Sequence, residues 1–114
     1  MREPLRDRGR LTDIIEAIDN ISEFVDGVSF DEYQNNKMMR FAVVKNLENV
    51  GEASYMLTKE LKEKHAEINW KKVIGMRNVL VHDYNQIEDK IVWSTVTDDL
   101  PLLKEQIKQI MNNL

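Results

Sequence analysis

Apolar residues recur at three- and four-residue intervals along most of this chain, and the stripes they make predict helices. Leu11, Ile14, Ile15, Ile18, Ile21 and Val25 fall on one face of a first helix. Gly27 supplies its stop. The segment Ser29-Phe30-Asp31-Glu32 has the form of a capping box, in which the serine accepts from the backbone and Glu32 reaches back, so a new helix begins there. From Met38 to Leu61 the period is kept by Met38, Phe41, Ala42, Val44, Leu47, Val50, Ser54, Leu57 and Leu61. Gly51 is the weak point of that run, which predicts either a bend or a close helix contact. Lys59 to Lys64 closes the run with basic residues suited to the negative end of a helix dipole.

Asn69 is placed to cap the next helix, where Trp70, Val73, Ile74, Arg77 and Val81 share a face. The segment from about Ile87 to Val96 is rich in β-branched residues and suits helix or strand; it reads as helix because no partner strand is evident. Thr97-Asp98-Asp99-Leu100-Pro101 looks like a helix start or a kink, and Leu100, Leu103, Ile107, Ile110, Met111 and Leu114 form a final stripe. The expected fold is therefore all-α: an up-and-down bundle of four to five helices, with residues 1–114 as a single helical domain.

The length of 114 residues suits one core. With 42% hydrophobic and 32% charged residues, the chain reads as a soluble, helix-rich protein. It has no cysteine, so a disulfide framework and thiolate metal sites are excluded. Apolar runs are too short to cross a membrane, and Met1-Arg2-Glu3-Pro4-Leu5 lacks an apolar signal core; a cytoplasmic product with no membrane partner is expected. A net charge of -4 argues against a broad basic surface for nucleic acid, so any RNA is held locally. Arg2, Arg6, Arg8 and Arg10 are the most basic stretch, either an RNA contact or a solvated helical face.

The chemistry concentrates in Arg77-Asn78-Val79-Leu80-Val81-His82-Asp83-Tyr84. Arginine offers a planar charged fork that matches phosphate oxygens, histidine exchanges a proton near neutral pH, and tyrosine offers a hydroxyl that can bond or be modified. On a straight helix, residues five apart point roughly 140° away from each other. Arg77 and His82 therefore converge only if the helix ends near His82, or if two copies of the chain combine their motifs across a symmetric dimer. Given such a site, His82 would serve as general acid or base and Arg77 would stabilise charge on a phosphorane-like transition state, with the 2'-hydroxyl of single-stranded RNA as nucleophile and no metal. Asn78 would orient the histidine or bond a phosphate oxygen.

The same residues also suit an ordinary helix end, with Arg77 covering apolar surface, His82 near the last carbonyls and Tyr84 anchoring a loop. Glu52, beside Gly51, is either exposed or near the motif. His65 reads as a surface residue at a helix end. Asp98 and Asp99 suit helix capping better than a metal, and Trp70 and Trp93 suit the core or an interface better than base stacking.

Several blocks in order resemble the HepT-like ribonuclease toxins of the HEPN superfamily, which are paired with minimal nucleotidyltransferase (MNT) antitoxins. They are the Arg-x4-His-x-Tyr spacing of Arg77, His82 and Tyr84; Arg10-Leu11-Thr12-Asp13-Ile14-Ile15-Glu16-Ala17-Ile18; Leu47-Glu48-Asn49-Val50-Gly51-Glu52-Ala53; Trp70 with Gly75-Met76-Arg77-Asn78; and Ile91-Val92-Trp93 followed by Asp99-Leu100-Pro101-Leu102-Leu103. The resemblance implies a HEPN-type bundle that dimerises, with both motifs lining a cleft. It also implies a metal-independent endoribonuclease toxin that needs no cofactor and acts on single-stranded RNA or tRNA. Arg77 and His82 would be catalytic and Asn78 a polar neighbour. Tyr84 would be the residue onto which a cognate nucleotidyltransferase antitoxin transfers AMP. The other possibility is a helical accessory subunit that presents a substrate to the nucleotidyltransferase and cleaves nothing.

Overall fold

A computed structural model describes residues 6–79 and 86–114, which are helical with no strand among them. The first helix, α1 (Asp7–Phe24), buries Leu11, Ile14, Ala17, Ile18 and Ile21 on the expected stripe. Beyond it Gly27 takes a φ of 71°, the left-handed turn that a side chain would resist. The capping box is present. In it the Ser29 amide donates to Glu32 Oε1 and the Glu32 amide to Ser29 Oγ, each at 3.1 Å, and this starts α2 (Phe30–Gln34).

Helix α3 (Lys37–Tyr55) starts on Asn36, whose Oδ1 accepts from the Met39 amide at 3.0 Å. It runs antiparallel to α1. Asp7 at the start of α1 meets Thr58 just past the end of α3, while Asn20 Nδ2 donates to Asn46 Oδ1 at 3.1 Å further along. The single helix expected from Met38 to Leu61 is instead two, broken at Met56–Thr58. Thr58 is the cause. Its hydroxyl accepts from the Leu61 amide at 3.2 Å, starting α4 (Lys59–Lys64), and donates to Asp7 Oδ2 at 2.6 Å, while its amide donates to Asp7 Oδ1 at 3.0 Å.

Helix α5 (Trp70–Gly75) begins on Asn69 as expected, with Asn69 Oδ1 accepting from the Lys72 amide at 3.1 Å. Trp70 is buried and donates through Nε1 to the His65 carbonyl at 3.0 Å. His65 itself is half-buried rather than on the surface, with Nδ1 3.6 Å from Glu67 Oε2.

The last part of the chain is one helical run with a π turn in it. Helix α6 (Gln86–Ser94) passes through the π turn Thr95–Asp99 into α7 (Leu100–Asn112), so the helical alternative holds for the β-branched segment. Pro101 sits in the first turn of α7 and has no amide hydrogen. The Leu100 amide reaches back to the Thr95 carbonyl, five residues away, and this widens the turn without ending the helix. Asp98 and Asp99 do not cap α7. Asp98 accepts from the Ser94 and Thr97 hydroxyls, both at 3.3 Å, and Asp99 Oδ2 lies 3.0 Å from Lys72 Nζ. The final stripe buries Leu100, Leu103, Ile107 and Ile110, Met111 is half-buried, and Leu114 stays exposed.

These helices bury a common core in which α3 and α7 each pack against α1. At its edge α2 meets α6, where the Tyr33 and Trp93 ring centroids are 5.0 Å apart and those of Phe30 and Trp93 6.1 Å. Burial pushes the Tyr33 hydroxyl well above the usual tyrosine range; the neighbouring Asp89 adds to the shift and Arg40 partly offsets it. Among the described residues, no helix is long and apolar enough to cross a membrane.

Candidate active site

The sequence requires the helix that carries Arg77 to stop early if Arg77 and His82 are to converge within one chain. It does stop. α5 ends at Gly75, the chain tightens into a 3₁₀ turn over Met76–Asn78, and Val79 is extended at φ -68° and ψ 135°. His82 and Tyr84 lie outside the described residues, so the described half of the motif is Arg77 and Asn78.

Gly51 decides where Arg77 sits. A Cβ at that position would stand 2.4 Å from the Arg77 backbone nitrogen, 2.8 Å from the Ile74 carbonyl oxygen and 2.9 Å from Arg77 Cβ. Of the two outcomes expected at this glycine, the close contact is the one found; α3 continues helical through it. Any side chain here would push the 3₁₀ turn away from α3.

One and four residues further along α3, Glu52 and Tyr55 meet the arginine. The guanidinium carbon of Arg77 lies 4.1 Å from the centre of the Tyr55 ring, and Nη1 is 3.7 Å from Glu52 Oε2. The ring attracts the guanidinium by cation–π interaction while the glutamate compensates its charge loosely. Glu52 is thus both exposed and beside the motif. The Arg77 side chain keeps 33% of its surface open, enough for an incoming anion to reach it. Asn78 faces the other way. It is exposed and, with Val79, Glu88, Ile91 and Val92, lines a hollow of 220 Å³ toward α6. The 3₁₀ turn therefore presents its arginine to α3 and its asparagine to α6.

Tyr55 was missed in the sequence reading. Its signal was there, since it lies four residues from Gly51 and three from Glu52 on the same helix. A planar cation held over an aromatic ring with a displaceable carboxylate beside it can bind a phosphate diester and stabilise added negative charge there.

Comparison with known proteins identifies the family of the chain. The family described as "Ribonuclease HepT-like" matches residues 14–110. "Putative RNase MJ1380" of Methanocaldococcus jannaschii is 37% identical over 98 residues, covering 86% of this chain and 90% of the relative. "Probable ribonuclease HepT" of Thermococcus cleftensis is 37% identical over 100 residues, covering 88% and 91%. No solved structure gives a significant match. On a family match that takes in most of the helical bundle, together with relatives aligned over nearly their full length, this chain belongs to the ribonuclease HepT-like family.

Proposed function

We propose that this protein is a metal-independent endoribonuclease of the HEPN type, the toxin of a pair whose antitoxin is a minimal nucleotidyltransferase. The observation that carries the reading is Arg77, 4.1 Å over the Tyr55 ring with Glu52 at 3.7 Å, at the start of the Arg-x4-His-x-Tyr spacing. Family membership and the names of the relatives support ribonuclease activity.

In this reading an RNA phosphate displaces Glu52 from Arg77. His82 takes the proton of the adjacent 2'-hydroxyl, whose oxygen attacks phosphorus, and Arg77 holds the developing charge. The bond from phosphorus to the 5'-oxygen then breaks as the proton held by His82 passes to that oxygen, leaving a 2',3'-cyclic phosphate and a 5'-hydroxyl. Asn78, on the opposite side of the 3₁₀ turn, serves as the polar neighbour that orients the histidine or bonds a phosphate oxygen. Two copies form a homodimer whose paired motifs line one cleft. Control comes from the partner. Its nucleotidyltransferase joins the Tyr84 oxygen to the α-phosphorus of ATP and releases pyrophosphate, which leaves a bulky anion beside Arg77 that excludes RNA. The protein acts in the cytoplasm, on single-stranded RNA or tRNA.

The test is cleavage of RNA in the presence of a chelator. The native chain cuts, and His82→Ala and Arg77→Ala are slower by on the order of a hundredfold or more, as loss of acid–base or electrostatic assistance dictates. Equal rates in all three chains remove the proposal. The net charge of -4 favours the competing reading, a non-cleaving accessory subunit of the nucleotidyltransferase. Slowed growth on expression of the native chain alone, abolished by His82→Ala, decides for the toxin.

A further inference from the structure

A second feature lies on the other side of Glu52. Between α1 and α3 runs a polar groove of 290 Å³, lined by Arg10, Asp13, Glu16, Asn20, Asn46 and Asn49 together with Glu52. The ties of Asp7 to Thr58 and of Asn20 to Asn46 set the register of the two antiparallel helices. Asp13 therefore lies across from Glu52, Glu16 from Asn49, and Arg10 from the Tyr55–Met56 end of α3. The groove is graded. At one end Arg10 lines the groove with Glu52, the carboxylate beside Arg77, and a neighbouring hollow of 310 Å³ adds Arg6. At the other end are three carboxamides.

We propose that this groove is a nucleobase subsite, taking the RNA residue next to the phosphate at Arg77 and favouring a base with an exocyclic amino group. The inference rests on the nuclease reading above and adds to it a substrate preference. Asn46 is nine-tenths buried and fixed in direction, because its Nδ2 donates to the Ala42 carbonyl at 2.9 Å and its Oδ1 accepts from Asn20. Asn46 thereby holds Asn20 in place, and the carboxamide of exposed Asn49 offers a donor and an acceptor side by side, the pattern that matches a base edge. Asp13 and Glu16 are acceptors as carboxylates, so they suit the amino groups of adenine, cytosine or guanine. Uracil would turn carbonyl oxygens toward them. The same carboxylates keep phosphate out of the groove interior and leave it to the arginines at the end.

The probes are short fluorescent oligo(A), oligo(C) and oligo(U) strands carrying 2'-O-methyl groups throughout, which bind without being cut, read by anisotropy on the full chain. Native protein binds oligo(A) and oligo(C) about tenfold more tightly than oligo(U), the scale of one good pair of hydrogen bonds to a base. The double variant Asp13→Asn/Glu16→Gln replaces two exposed residues and is checked for helicity by circular dichroism; it brings the three affinities within about threefold of one another, because each new amide donates as well as accepts and so takes the carbonyls of uracil too. Glu105→Gln, on the exposed side of α7, keeps the preference. Equal native affinities, no native binding, or a preference that survives in the double variant overturns the subsite. So does a double variant that binds RNA as native protein does but loses its complex with a co-expressed nucleotidyltransferase, which assigns the groove to a protein partner. Base preference without cleavage of unmodified RNA leaves the subsite standing and removes the nuclease reading.

Discussion

Two junctions fix α3 against the rest of the molecule, and they use opposite chemistry. At its C-terminal end, Asp7 receives hydrogen bonds from the Thr58 amide and hydroxyl in a buried lock across 51 residues of sequence. One turn before the last residue of α3, Gly51 simply omits a side chain so that the backbone of Arg77 can lie against the helix. The first junction is closed to solvent and joins main chain to carboxylate. The second leaves an arginine one-third open above Tyr55. A buried lock serves the fold, whereas a close approach that keeps its cation accessible serves a site.

Breaking the lock has the largest expected effect on stability. Asp7→Ala leaves two buried donors on Thr58 without their acceptor, at a cost of about 3 kcal/mol, measured by urea denaturation. RNA cleavage by the fraction that remains folded is little changed. Gly51→Ala gives the converse. It costs about 2 kcal/mol through overpacking, because the atoms it meets are backbone rather than a flexible side-chain end. It also lowers cleavage more than tenfold, since displacement of about 1 Å can cost on the order of a hundredfold in rate. If Gly51→Ala lost stability with full activity, or Asp7→Ala lost activity while fully folded, the contrast between the junctions would fail.

Tyr33 sharpens the comparison from a third position, remote from both. Its folded-state pKa is raised above the ordinary 10.0 by burial, so folded protein holds that proton more tightly than unfolded protein does. Its contribution is complete below pH 10.0 and declines as pH rises beyond it. Thermal unfolding followed at increasing alkaline pH should show that decline reduced in Tyr33→Phe. The smallest effect belongs to the exposed ion pair between Lys72 and Asp99. Lys72→Ala changes stability by about 0.5 kcal/mol or less, and the change shrinks further in high salt.

What could be read from the residues alone was local. The stripe of α1, the Ser29–Glu32 box and the Asn69 cap each depend on side chains within a turn or two of one another, whereas the sequence left a bend and a close contact both open at Gly51. The Arg77–Tyr84 motif is local in the same sense, because its members are neighbours in sequence. The break at Met56–Thr58 was not legible, since the periodic apolar residues run through it and the carboxylate that draws Thr58 out of the helix is Asp7. Nor was the π turn at Thr95–Asp99, where helical period and a proline signal overlap.

The sequence by itself determined which faces are apolar, where helices can start and which side chains are capable of phosphate chemistry, because hydrophobic period and capping act over a few residues. Tertiary structure decided the ring on which Arg77 rests, the opposite facing of Asn78, and the alignment of Asn20, Asn46 and Asn49 with Arg10 in one groove. Those placements follow from the register of antiparallel helices and from one missing Cβ. Register is set by contacts between residues far apart in sequence, and no short window of the chain contains both partners.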